Sequence, residues 1–234
     1  MRHPIRIAAA FMVLALGACA ATNERDQGDA RATDAPRAAV PRSQTQTYYK
    51  VTRQDFRKCM YPACGGVFVA EVNNAQSACA DGQSAADCYV SDVDLSGLAL
   101  KPELEAEIAS LSKGGHVILR GGLVAQDTQF GKIGKLVVNA AWRGATLNNH
   151  SDPTYMLVDA GIVCITYPCF SLAQTALNSA VTGQVSGVDL AAAGASQDDQ
   201  NKAQALLASL GLIVSGSHIT VTGPGGSGQQ LVAS

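Results

Sequence analysis

The chain has 234 residues, of which 17 are Lys or Arg and 19 are Asp or Glu, so its formal net charge at pH 7 is −2. A mildly acidic chain without a Lys/Arg cluster argues against nucleic acid as a partner. Aromatic residues make up only 5% of the sequence, so we expect a thin, β-rich core of small and aliphatic side chains.

Residues 1–18 have the pattern of an export signal. Two arginines precede an unbroken apolar run over residues 7–16, as in secretory signal peptides. The run is too short to span a bilayer, which takes about twenty apolar residues. Residues 16–19 read LGAC and resemble the lipobox of bacterial lipoproteins. The resemblance implies cleavage before Cys19, its acylation by fatty acids such as palmitate, and a membrane as partner. An ordinary secretory signal, with Cys19 incidental, is the alternative.

Residues 19–46 are predicted to form a lipid-anchored, disordered linker. They contain no aromatic residue, and Val40 is their only large aliphatic residue, so they cannot bury enough apolar surface to offset the entropy of ordering. As a flexible coil the segment reaches roughly 30 Å. Ala20 is not the Asp that the lipoprotein sorting rule of Gram-negative bacteria associates with inner-membrane retention. We therefore expect an outer-membrane location, facing the periplasm or the cell surface.

A pair of cysteines five positions apart lies early in the remaining sequence. Cys59 and Cys64 enclose a Tyr-Pro pair, and stretches of strand-like composition flank them at 47–52 and 67–73. Such flanking runs are typical of paired strands. The pattern predicts a hairpin whose connection is clipped by the cysteines.

A third strand is predicted over 89–95, and a helix follows it. The helix starts at Pro102 and stops before Gly114, as the positional preferences of Pro and Gly favour. Its apolar spacing predicts one buried stripe, made by Leu104, Ile108 and Leu111. Strands are expected next at 116–125 and 135–143, the second with Leu136, Val138, Ala140 and Trp142 on one face.

The same order recurs about a hundred residues later. Cys164 and Cys169 again enclose a Tyr-Pro pair, residues 186–194 echo 91–99, and residues 218–223 match 116–121. A second helix is expected to begin at the N-cap Ser196 with Asp199 completing the cap and with Ala203, Leu206, Leu207 and Leu210 inward. We predict an α+β fold of two tandem pseudo-symmetric repeats, 47–145 and 146–234, packed together. Each repeat is expected to be an antiparallel sheet with one covering helix and disulfide-clipped hairpins.

Seven cysteines leave six once the anchor is set aside, an even number that favours three disulfides in an exported chain. Six thiols can pair in several ways. Local pairs are favoured because prolines and glycines supply the turns that bring close cysteines within bonding range. They are Cys59–Cys64, Cys79–Cys88 and Cys164–Cys169. A zinc site is disfavoured by the cysteine spacing, so we expect no metal and no cofactor.

The repeats resemble a bacterial family of secreted proteins and lipoproteins built around a Cys-x-x-Pro-x-Cys-Gly-Gly clip. The residues that carry the resemblance are Cys59, Pro62, Cys64, Gly65, Gly66, Asn73, Cys79, Ala80, Asp81, Gly82, Cys88, Tyr89, Val90, Asp94 and Leu95. Downstream it covers Trp142 and the Cys164–Cys169 clip. The family is a domain of unknown function, so the resemblance implies boundaries and disulfides but no activity.

Few residues suggest chemistry. No motif of a serine hydrolase, a zinc protease, a phosphate-binding loop or a dinucleotide site occurs. His116 and His218 are interpreted as starting equivalent strands on a solvated face. The sharper alternative pairs them with Asp94 and Asp189 of the two Val-Asp-Leu segments, yet without an evident nucleophile.

The sequence therefore predicts an envelope lipoprotein that binds or supports an unknown protein or envelope partner without catalysis. The candidate binding residues are Tyr61, Pro62, Tyr167, Pro168, Asp94, His116, Asp189 and His218. One alternative is a protease inhibitor that presents a stiffened loop, Met60 to Ala63, already in its bound shape. A less favoured one is a hydrolytic enzyme using Asp94 and His116.

Overall fold

The computed structural model describes residues 47–146 and 151–234. The predicted signal, the lipidation site Cys19 and the linker lie outside these described residues. We call residues 47–146 the first lobe and residues 151–234 the second lobe; both belong to one compact unit.

The predicted α+β fold is wrong. The described residues are mostly β, with 47% in strands and 14% in helices. In the first lobe the sheet closes into a barrel around its core instead of forming an open layer under a helix. The sheets are not purely antiparallel either, because each lobe contains one parallel strand pair.

Five strands of the first lobe form a closed barrel in the order β1-β2-β5-β7-β6. A two-stranded ribbon, β3 with β4, lies outside it. The strand bounds are β1 Thr47–Gln54, β2 Val67–Glu71, β3 Ser77–Ala78, β4 Ser84–Ala85, β5 Cys88–Asp94, β6 Val117–Thr128 and β7 Gly131–Arg143.

The path of the chain through this barrel is that of a Greek key. Numbered along the chain without the ribbon, the strands follow the order first, second, third, fifth, fourth, and the third and fifth are parallel. Helix α1, Pro102–Lys113, connects the third strand to the fourth. This is the chain path of the OB-fold, a five-stranded, partly open barrel. A shared fold does not by itself assign a function.

The second lobe follows the same path with one strand interrupted. Its strands are β8 Thr154–Asp159, β9 Leu172–Ala176, β10 Thr182–Val185, β11 Val188–Asp189, β12 Leu212–Gly223 and β13 Gly226–Ala233, and helix α2 is Gln197–Leu207. The sheet order is β10-β9-β8-β12-β13-β11. Only residues 186 and 187 separate β10 from β11, so these two edge strands together replace β5. The pairing of β11 with β13 is parallel, as is that of β5 with β7.

Two glycines fix the correspondence between the lobes. A Cβ on Gly121 would lie 2.0 Å from the carbonyl oxygen of Val137, and a Cβ on Gly216 would lie 2.1 Å from that of Val232. Gly216 is therefore the counterpart of Gly121. By the same offset Asp189 corresponds to Asp94. The predicted equivalence of His116 and His218 is wrong, because the first precedes β6 whereas the second lies in the middle of β12.

The helices bury less than their patterns predicted. In α1 Ile108 is buried but Leu104 is 44% exposed, because it lies in the first turn. In α2 Ala203 and Leu207 are buried, whereas Leu210 is 79% exposed, because it lies beyond the end of the helix. Ser196 caps α2 as predicted and accepts a hydrogen bond from the backbone N–H of Asp199. No helix among the described residues is long and apolar enough to cross a membrane.

Two asparagines join the lobes crosswise. The side chain of Asn73 accepts from Thr154 N and donates to the carbonyl oxygens of Thr154 and Leu177. The side chain of Asn178 accepts from Tyr48 N and donates to the carbonyl oxygens of Tyr48 and Val72. Both asparagines have a positive φ, 64° and 54°, a conformation that Asn tolerates better than most residues. Each lobe thus caps a strand start of the other.

Candidate binding surfaces: two clipped loops

Three disulfide bonds occur in the described residues, and each joins cysteines that are close in the sequence. They are Cys59–Cys64, Cys79–Cys88 and Cys164–Cys169, the local pairs that the sequence favoured. The first and third lie in the loops between the first two strands of each lobe. We call residues 55–66 the first clip loop and residues 160–171 the second clip loop.

An ion pair closes the base of the first clip loop. Asp55 is buried, and its carboxylate accepts from the guanidinium of Arg57 at 2.9 Å through both oxygens. The same guanidinium donates to the carbonyl oxygen of Ala63 at 3.1 Å, which ties the two sides of the loop together. The hydrogen bonds from Arg57 lower the pKa of Asp55 from 3.8 to about 2.

Tyr89, on β5, supports the loop from below. Its hydroxyl donates to the carbonyl oxygen of Pro62 at 2.9 Å and accepts from Gly66 N at 3.3 Å. Burial raises the pKa of Tyr89 above its ordinary value. The peptide bond before Pro62 is cis, as is the one before Pro168.

Large side chains project from this supported loop into solvent. Phe56 is 81%, Met60 66% and Tyr61 64% exposed. The turn between β6 and β7 lies beside them, since Gln129 Nε2 is 3.8 Å from Met60 Sδ and Phe130 on that turn is also exposed. Arg57 and Lys58 add positive charge between the exposed apolar residues.

The second clip loop has the same position in its lobe but a different surface. Pro168 is buried and packs against Gly228, where an added Cβ would meet its side chain at 2.8 Å. The carbonyl oxygen of Tyr167 accepts from Gly225 N at 2.8 Å. Val163 and Ile165 project from this anchored loop and are 95% and 101% exposed.

The proposed acid–imidazole pairs are not assembled. Asp94 accepts from Lys135 Nζ at 2.8 Å and from Ser96, and these bonds lower its pKa. Nδ1 of His116 is buried without a hydrogen-bond partner. In the described part of the chain no hydrogen bond or ion pair joins Asp94 to His116.

The second pair is equally divided. Asp189 accepts from the backbone N–H groups of Ala191 and Ala192, so it shapes a turn. Nε2 of His218 lies 2.8 Å from Gln174 Oε1, and its ring packs edge-on against Tyr155. Asp189 and His218 therefore each bond to other groups and do not form an acid–imidazole pair.

A shallow cleft of about 350 Å³ lies at the seam between the lobes. It is lined by Tyr48, Met156, Thr175, Ala176, Leu177, Asn178 and Ser179. Asn178 already uses its side-chain amide on Tyr48 and Val72. Within residues 47–146 and 151–234 no group of three or more His, Cys, Asp or Glu side chains is placed to hold a metal ion.

Several of the residues that shape these surfaces were not singled out from the sequence. Tyr61 and Tyr167 were, and both are exposed, whereas Pro62 and Pro168 serve to position the loops. Asp55, Arg57 and Tyr89 were missed as loop supports because their contacts depend on the fold. The sequence does contain a signal for the second loop. Residues 160–171 include several large aliphatic residues and no charged residue, which is unusual for a loop.

Comparison with known protein families identifies a match over both lobes. The family described as domain of unknown function DUF6748 matches residues 48–234, which cover both lobes. No curated protein and no solved structure matches the chain.

Proposed function

Because this chain belongs to the DUF6748 family of domains of unknown function, we propose from its own geometry that it is a lipid-anchored module of the bacterial cell envelope that binds a partner protein through the first clip loop, without catalysis. The lipobox-like residues 16–19 support the anchor, and the absence of Asp at position 20 supports the outer membrane. The packing of two repeats would make the module rigid.

The observation that carries the proposal is the preorganisation of the first clip loop. Binding costs less when the contacting side chains are already fixed. Here a disulfide, the bridge from Arg57 to Ala63 and the Tyr89 hydroxyl hold the loop on three sides. The side chains it projects are Phe, Met and Tyr beside Arg, the residue types enriched at protein interfaces.

The same loop fits an inhibitor less well. Ala63 N donates to the carbonyl oxygen of Met60 at 3.0 Å, so residues 60–63 form a tight turn. Recognition by strand addition needs an extended segment whose backbone groups are free to pair. We therefore favour a binding module over an inhibitor that is bound as an extended strand.

Photo-crosslinking in intact cells tests the binding surface. A benzophenone amino acid is placed at Tyr61 and, as the matched control, at Val124, which is 50% exposed on β6 of the same lobe. We expect one discrete adduct from position 61 and none from position 124. Equal labelling at both positions, or none at 61, would contradict a partner at the first clip loop.

The anchor is tested separately by detergent phase partition. The wild-type chain should enter the detergent phase, and the Cys19→Ser variant should remain aqueous or uncleaved. If both chains remain aqueous, the lipoprotein assignment fails, while the crosslinking result at Tyr61 still stands.

A further inference from the structure

We propose that the second clip loop is a membrane-contacting loop, which places Val163 and Ile165 in the boundary between the lipid headgroups and the acyl chains. The inference rests on the proposed lipid anchor, because the anchor keeps the domain beside a bilayer. It assigns the two clip loops different partners: a protein for the first and lipid for the second.

The first observation is the exposure of large aliphatic side chains on a fixed loop. Val163 and Ile165 are 95% and 101% exposed, so water surrounds them almost completely. Apolar surface is driven from water into any apolar phase available to it. The loop cannot fold these side chains back, because Cys164 is bonded to Cys169 and Ala160 N donates to Ser171 O at 2.8 Å.

The second observation is the absence of charge around these residues. No Asp, Glu, Lys or Arg occurs in residues 160–188, nor in the adjoining turn at 223–228. Ions are costly to bring into the hydrocarbon of a bilayer, so a loop tip that reaches the acyl chains should carry none. The first clip loop does not meet this condition, because it contains Asp55, Arg57 and Lys58.

The third observation is the position of the aromatic residues. Tyr167 is 47% exposed and Phe170 38% exposed, and both follow the apolar tip in the chain. Tyrosine is enriched at the membrane–water interface because its ring is apolar and its hydroxyl is polar. A protein partner is disfavoured because the loop has no charged or amide side chain for the polar rim that such interfaces have.

The linker that the sequence predicts would make this contact geometrically possible. Residues 19–46 would reach roughly 30 Å as a flexible coil. Such a tether lets the domain approach the bilayer that holds its anchor.

Tryptophan quenching in vesicles measures the contact. The full-length mature chain is reconstituted into phosphatidylethanolamine and phosphatidylglycerol vesicles that contain brominated phosphatidylcholine, a quencher within the bilayer. Ile165→Trp is compared with Met60→Trp, which follows the first cysteine of the other clip. The wild-type chain, whose single Trp is Trp142, gives the background. Thermal unfolding of each variant checks that the fold is retained.

We expect the emission of Ile165→Trp to shift to shorter wavelength and to be quenched more strongly than the wild-type background. The emission of Met60→Trp should neither shift nor be quenched beyond that background. No quenching at position 165, or equal quenching at both positions, overturns the membrane contact. Flotation of the same samples reports the anchor independently. A chain that floats but shows no quenching at position 165 supports the anchor and contradicts the loop contact. A chain that does not float has no working anchor, and the loop contact, which rests on the anchor, is then overturned together with it.

Discussion

Asn73 and Asn178 join the lobes through side-chain amides that match the backbone groups facing them. Replacing Asn178 with Gly removes three hydrogen bonds while keeping a residue suited to the positive φ. We expect the free energy of unfolding to fall by about 2–3 kcal/mol, at about 1 kcal/mol net per bond. Urea unfolding measures it. Asn74→Gly is the control, because Asn74 bonds locally to Glu71. Equal losses for both variants would contradict the joining role.

Asp55 makes the free energy of unfolding depend on pH. Its pKa is about 2 in the folded chain against an ordinary 3.8, so the folded state binds its proton less readily than the unfolded state does. The stabilisation is therefore fully present above about pH 4 and is lost as the pH falls toward 2. Urea midpoints measured from pH 6 to pH 2.5 should converge between the wild type and Asp55→Asn. A constant difference across this range would show that the pair with Arg57 does not titrate in folding.

At the scale of elements, the packing of helix α1 depends on Ile108 more than on the rest of its apolar stripe. Ile108 is buried in the first core and Leu104 is half exposed. Ile108→Ala should cost about 2–5 kcal/mol, as buried truncations do. Leu104→Ala should cost about 1 kcal/mol or less, since nearly half of its area stays in contact with water. Thermal unfolding of the two variants compares them, and similar losses would mean that the helix packs along its whole stripe.

Local features of the elements were predictable, and their closure into a barrel was not. The alternation in β7 predicted that Leu136, Val138, Ala140 and Trp142 share a face, and Leu136 and Val138 are buried. Beyond Val138 the prediction is wrong, because the pairing with β6 shifts by one residue and Ala141 instead of Ala140 packs against the first core. The N-cap at Ser196 was predictable because it depends only on a hydrogen bond from Asp199 N, three residues along the chain. The parallel pairing of β5 with β7 joins segments separated by helix α1 and strand β6, and no local pattern reports such a pairing. The crosswise bonds of Asn73 and Asn178 were not predicted either, because they require turns about a hundred residues apart to meet.

At the scale of the molecule, the two lobes have unequal cores. In the described residues the buried cluster of the first lobe has thirteen members and that of the second has six. The second lobe also lacks a continuous counterpart of β5. A smaller buried area gives less stabilisation against the same entropy of ordering. The second lobe should therefore depend on the first through the asparagine bonds.

Removing both asparagines should expose this dependence. In Asn73→Gly/Asn178→Gly the second lobe should open without the first, because its core is the smaller and its support is gone. Amide hydrogen exchange in β8 and β12 should then accelerate by about 1,000- to 10,000-fold, corresponding to about 4–5.5 kcal/mol for the bonds of both asparagines, while β6 and β7 stay protected. In the wild type the most protected amides of both lobes should exchange through one shared opening. Equal acceleration in both lobes of the double variant would show that they unfold as one body whether or not the asparagines are present.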